Sequence, residues 1–243
     1  MKALQLLLIT LTALTGCAKK PGAAPIVSQH DTIITKPMPD TNATYLALGD
    51  SYTIGQSVPL NDSFPYQLVN VLNVQDGFHV DTADIIATTG WTTEQLINAI
   101  SYRKTPTNHY DIVTLLIGVN DQYEGNSQTN YQTEFAQVLQ TAINSARDSD
   151  KTRVFVLSIP DYGVTPFAMG QDSIIGPQID QFNAINKSIS LRFGVNYVDI
   201  TAISREAASD PTLIADDGLH PSEKMYAMWV QLLAPVVAAR LSK

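Results

Sequence analysis

From Tyr45 onward, short unbroken apolar runs alternate with longer stretches whose apolar residues recur every three or four positions. The segments at 45–48, 84–87, 112–117, 154–157 and 197–200 have the length of strands, and the run over 112–117 is as expected of a strand covered on both faces. Between them, Phe64, Leu68, Val71 and Leu72 share one helical face, as do Leu96, Ile97 and Ile100. Phe135, Val138, Leu139, Ala142 and Ile143 make a third stripe, and Ile179, Phe182, Ile185 and Ile189 a fourth. After the last run, Pro221 is placed to start a final helix bearing Met225, Met228, Trp229 and Leu232, which Pro235 is expected to kink or divide. This alternation predicts an α/β domain, a parallel sheet with helices on both faces. In such sheets, polar loops at the carboxyl ends of the strands are where chemistry gathers. Those loops read Gly49-Asp50-Ser51, Thr89-Gly90, Gly118-Val119-Asn120-Asp121 and Pro160-Asp161-Tyr162.

Ahead of this domain the pattern changes. Lys2 is followed by a nearly uninterrupted apolar run over 3–14, closed by Thr15, Gly16 and Cys17. The run is too short to span a bilayer comfortably and suits the core of a signal peptide. Small residues before a cysteine resemble the lipobox of bacterial lipoproteins, in which the cysteine receives a diacylglycerol and becomes the new N-terminus. The resemblance implies a signal peptide over 1–16, a lipidated Cys17 opening a tether over 17–43, and a folded domain over 44–243. Pro21, Pro25, Pro37 and Pro39 agree with an extended tether. Such a chain hangs from the cell envelope by acyl chains instead of a transmembrane helix. Ala18, where aspartate is absent, points to the outer membrane if the host is Gram-negative.

Charge and composition narrow the partners. The net charge is −8, from 15 basic and 23 acidic residues, and four of the lysines lie in the first 43 positions. A body that acidic repels phosphate backbones, which argues against nucleic acid. The single cysteine can form no internal disulfide, and a domain of this size needs none. No cluster of His, Cys and carboxylates suggests a metal.

Ser51 directly follows the first strand, where a tight turn presents a hydroxyl at the sheet rim. It is either a nucleophile awaiting a base or a helix N-cap. Of the four histidines, His30 lies in the tether, while His79 and His109 precede strands and so belong at the opposite edge. His220 alone falls in a late loop, between the last strand and the last helix. Asp217, three residues earlier, can reach the imidazole, and the adjacent Asp216 is its rival. Gly90 is expected to end the second strand and Asn120 the third. Each reads as turn chemistry by itself, yet together they stand where an oxyanion requires donors.

Gly49-Asp50-Ser51-Tyr52, Gly90, Gly118-Val119-Asn120-Asp121 and Asp217-Gly218-Leu219-His220 resemble, in order, the four blocks of the SGNH hydrolases, or GDSL esterases and lipases. The resemblance implies a three-layer α/β/α sandwich with about five parallel strands, similar to flavodoxin. It implies Ser51 as nucleophile, His220 as base and Asp217 as its orienter. Ser51 N–H, Gly90 N–H and the Asn120 amide would form the oxyanion hole. Tyr52 departs from the motif's leucine, a change expected to alter packing beneath the nucleophile. The implied reaction is hydrolysis of carboxylic esters through an acyl-enzyme, without metal or cofactor. Mostly short loops and no long apolar lid favour small acyl groups, such as acetyl esters of glycans or small alcohols. Residues 50–62, 160–177 and 208–220 are the loops expected to shape the pocket, and 162–169 mixes aromatic and apolar residues suited to the acyl or alcohol group. Competing readings are lysophospholipase or thioesterase activity, acyl transfer, and an idle surface module that binds glycans.

Overall fold

The computed structural model describes residues 42–243; the signal-like segment, Cys17, His30 and the tether up to residue 41 lie outside them. Five strands form one sheet: β1 (Tyr45–Gly49), β2 (Asp84–Ala87), β3 (Ile112–Leu116), β4 (Val154–Leu157) and β5 (Asn196–Val198). Every pairing is parallel, and the spatial order is β2-β1-β3-β4-β5. The order reverses direction after β2, which leaves a crevice beyond the carboxyl ends of β1 and β3. Register places the ends together, with Gly49 opposite both Ala87 and Leu116. β1, β3 and β4 are buried along their whole length, as their unbroken apolar runs predict.

Helices cover both faces. The connections carry α2 (Phe64–Val74), α3 (Thr93–Arg103), α5 (Gln128–Ser145) and α6 (Asp172–Phe193), and α8 (Glu223–Leu241) ends the chain. Three short helices, α1 (Ser51–Ile54), α4 (Val119–Tyr123) and α7 (Thr201–Arg205), follow β1, β3 and β5. α2 packs on α8, while α5 packs on both α3 and α6. Phe64, Tyr226 and Trp229 join the α2–α8 pair, with Tyr226 and Trp229 ring centroids 5.0 Å apart. Truncating such a buried aromatic costs about 3–5 kcal/mol. The mutual support of α2 and α8 therefore matters to everything at the carboxyl end of β1.

Several boundaries differ from the sequence pattern. The last strand ends at Val198, because Asp199 and Ile200 turn away to meet Ser158, whose Oγ accepts from Ile200 N–H at 2.8 Å. Pro221 does not start α8; Ser222 caps it instead, accepting from Met225 N–H. Pro235 does not divide α8. It lies on the exposed side, and the carbonyl it deprives belongs to Gln231, which is exposed to water as well. α6 begins at Asp172 and runs through Pro177, so the expected loop over 160–177 is shorter than its prolines suggest. Among the described residues no helix is long and apolar enough to cross a membrane.

Candidate active site

The first sheet-end turn is built by Asp50. Its Oδ1 accepts from Tyr52 N–H at 3.0 Å, so Asp50 caps α1 and Ser51 becomes the first helical residue. The capping role open to Ser51 is thus filled by its neighbour. Ser51 is buried, and among the described residues no side-chain hydrogen bond engages its Oγ. Burial pushes the Asp50 carboxyl up to about 8, opposed by the Tyr52 N–H and reinforced by the charge of Asp121.

Gly90 lies three residues beyond the end of β2, in a turn, and Asn120 lies within the first turn of α4; neither is the last residue of its strand. Gly90 has φ 86°, with open space where a side chain would project. Asn120 is aimed by Gly118, whose φ of 124° starts α4 and whose missing side chain admits Tyr131; a Cβ would lie 2.6 Å from the Tyr131 hydroxyl. Asn120 Nδ2 donates to Trp91 O at 2.9 Å, using one of its two N–H groups. Thr93 N–H and Oγ1 both donate to Asp121 Oδ2 at 2.9 Å. Three bonds therefore lock the turn after β2 to the turn after β3, on either side of Ser51. Desolvation raises the Asp121 carboxyl, offset in part by the Thr93 bonds.

The late loop folds on itself as its spacing predicts. Asp217 Oδ1 accepts the backbone N–H groups of Leu219 and His220, each at 2.9 Å, and Asp217 Oδ2 lies 2.6 Å from His220 Nδ1. Asp216 is exposed and makes no bond to the imidazole. A second donor, Ser57 Oγ, reaches Asp217 Oδ2 at 2.6 Å. Desolvation acts against ionisation of Asp217, but the bonds from Ser57 and His220 outweigh it and hold the carboxyl well below the usual carboxylate range. His220 is buried apart from a narrow face, and the Tyr52 ring meets it edge-on with centroids 5.7 Å apart. Tyr52 in turn rests on Trp229 at 6.2 Å, so the aromatic core of α8 supports the imidazole. His79 and His109 sit at the opposite, amino edge, where their carbonyls accept from Ala43 N–H and Thr44 Oγ1.

Two cavities open here. One of about 130 Å³ is lined by Tyr52, Val119, Asn120, Tyr123, Tyr162, Phe167 and Leu219. A wider groove of about 740 Å³ shares Tyr123, Tyr162 and Phe167 with it and runs on to the start of α6. Sequence reasoning placed Tyr162 and Phe167 near the site but missed Ser57 and Tyr123. Ser57 is 160 positions from its partner, a separation no local pattern reveals. Tyr123 was within reach, since it stands three residues after Asn120 on the same short helix. Among the described residues no group of His, Cys, Asp and Glu converges as a metal site would. An activatable hydroxyl, an imidazole backed by a carboxylate, and amide donors at one sheet edge are the parts acyl transfer uses.

The chain resembles known proteins in sequence and in fold. The chain is similar to an acetylxylan esterase of Xylanibacter ruminicola, 23% identical over 223 residues, 83% of this chain. The match spans only 44% of that relative's length. Among solved structures, a lipase from a goat rumen metagenome superposes with a TM-score of 0.63 at 18% identity, covering 80% of this chain and 97% of that one. An acetylxylan esterase from Geobacillus stearothermophilus gives 0.57 at 17% identity, over 83% and 94%. These structures share the fold. The model of the GDSL-like lipase/acylhydrolase family matches residues 47–228, from β1 into α8, and the chain belongs to that family.

Proposed function

We propose that this chain is a serine esterase that removes short acyl groups, acetyl above all, from carbohydrate esters. Ser51 Oγ attacks the ester carbonyl while His220 Nε2 takes its proton, and Asp217 holds the imidazole by Nδ1 and balances its charge. Ser51 N–H, Gly90 N–H and the second N–H of Asn120 stand to receive the oxyanion. The alcohol leaves with the proton from His220, and water activated by the same imidazole releases the acid and restores Ser51.

The observation that carries the substrate reading is the small cavity beside Asn120, about 130 Å³ and walled mainly by aromatic and aliphatic side chains. An enclosed apolar cavity of about 150 Å³ binds benzene. A space of about 130 Å³ suits acetyl to butyryl. The family, and a relative named for action on acetylated xylan, support the same reading. Hydrolysis of p-nitrophenyl esters from acetate to decanoate tests it. The expected order is a steep fall beyond butyrate; a maximum at octanoate or longer would favour a lipid substrate. A fluorophosphonate probe should label wild-type protein and spare Ser51→Ala.

The cell-envelope location belongs to the same proposal and rests on the Lys2, apolar core and Cys17 pattern. Cys17→Ser is expected to release the protein from the membrane fraction, and unchanged retention would remove lipidation as the anchor.

A further inference from the structure

We propose that the wide groove beside the acyl cavity binds the neutral sugar chain that carries the ester, an inference resting on the esterase reading above. Three rings separate the two spaces. Tyr123, Tyr162 and Phe167 lie mutually 6.1–6.4 Å apart, and each lines both cavities. Tyr162 is buried, whereas Tyr123 is 60% and Phe167 43% exposed, an unusual exposure for such rings.

Their backbone is tied to the reacting groups. Tyr123 ends the short helix that carries Asn120. Phe167 N–H donates to Gly218 O at 3.0 Å, inside the loop that pairs Asp217 with His220. A ligand lying on these rings is thereby held in register with Ser51.

The lining identifies the ligand's chemistry. No charged side chain lines the groove; its polar side chains are the Gln122, Gln171 and Gln178 amides and tyrosine hydroxyls. Gln122 Nε2 donates to Gln178 Oε1 at 2.7 Å, which fixes the Gln178 amide and leaves its N–H groups free. The exposed Gln171 side chain precedes α6 without making a capping bond to it. A hydrocarbon chain there would strip water from these amides without replacing its bonds, at about 1–3 kcal/mol for each. A phosphate or carboxylate would meet no cation in an already acidic protein. A pyranose ring answers both features, because its C–H face stacks on an aromatic ring while its edge hydroxyls exchange bonds with amides. At about 740 Å³ the groove is several times larger than the acyl cavity and within the range of ligand sites.

The test uses the full-length protein with p-nitrophenyl acetate, acetylated xylohexaose and unacetylated xylohexaose. The unacetylated sugar should inhibit wild-type hydrolysis of p-nitrophenyl acetate. In a Gln171→Leu/Gln178→Leu variant that inhibition should weaken, and kcat/KM on acetylated xylohexaose should fall roughly tenfold relative to p-nitrophenyl acetate, mainly through KM. Equal losses on both substrates would mean a structural role and overturn the proposal. So would a loss confined to p-nitrophenyl octanoate, which would make the groove an acyl channel. Wild-type cleavage of p-nitrophenyl acetate with no inhibition by the sugar would sink the groove alone. Absence of any esterase activity would sink the reading beneath it.

Discussion

Ser57 Oγ donates to Asp217 Oδ2 at 2.6 Å, the same oxygen that meets His220 Nδ1. Ser57 holds this position with a φ of 69°, a left-handed conformation uncommon for serine. The bond fixes the carboxylate from the side opposite its own loop, so the imidazole is steered from two segments far apart in sequence. A hydrogen bond to a charged group contributes about 1.5–3 kcal/mol, so Ser57→Ala should lower kcat roughly tenfold or more with KM little changed. Ser57→Gly relieves the backbone while losing the same bond. If glycine restored activity, strain and not the hydroxyl would be what matters.

Asp217 and Asp216 are neighbours with different surroundings. Both are exposed, but Asp217 accepts two backbone N–H groups and the Ser57 hydroxyl and pairs with His220 Nδ1, whereas Asp216 makes none of these contacts. Asp217→Asn should cut kcat on p-nitrophenyl acetate by several orders of magnitude, because the amide favours the wrong imidazole tautomer. Asp216→Asn should stay within about twofold, as exposed substitutions do. The reverse ranking would transfer the orienting role to Asp216.

The sheet was legible because β1, β3 and β4 are buried along their whole length, and β2 and β4 fall where their apolar runs do. The Asp217–His220 bond was legible because three residues of chain close it locally. What escaped depends on distance or on backbone groups. Ser57 has no spacing relation to Asp217, and the Asn120 amide is held by a Trp91 carbonyl that any residue could supply. Pro235 does not divide α8 for a related reason: the carbonyl it leaves unpaired, that of Gln231, faces water.

Tyr52 stands where the family motif has leucine, and the ring has work to do. It meets His220 edge-on at 5.7 Å and Trp229 at 6.2 Å, filling the space between base and core. Aromatic pairs contribute about 0.5–1.5 kcal/mol beyond burial, so Tyr52→Leu should lower kcat by roughly two- to tenfold. Tyr52→Phe keeps both ring contacts and should retain most activity. A phenylalanine variant as impaired as leucine would point to the hydroxyl instead.

Asp50 gives the stability of the fold a dependence on pH whose sign is unusual for an aspartate. Its Oδ1 caps α1, while its Oδ2 is buried without a partner, and burial pushes the folded pKa up to about 8. In the unfolded chain the group titrates near its ordinary value of about 3.9. Between those values the folded state holds the extra proton, so the stabilisation is full below about pH 4 and is lost as pH rises through about 8. Asp217 behaves in the opposite sense, since its depressed pKa makes its contribution present above the ordinary value and lost only in acid. The two windows therefore separate. Asp50→Asn keeps the capping oxygen and cannot ionise, so its Tm should decline less than that of wild type between about pH 5 and about pH 8. Every other group is common to both proteins and cancels in the comparison; the raised Asp121 carboxyl is among them, so the decline should shrink without vanishing. Thermal unfolding of both proteins across that range decides the matter. Parallel Tm curves would mean that Asp50 is already ionised in the fold, and that the bond from Tyr52 N–H, not a retained proton, keeps it there.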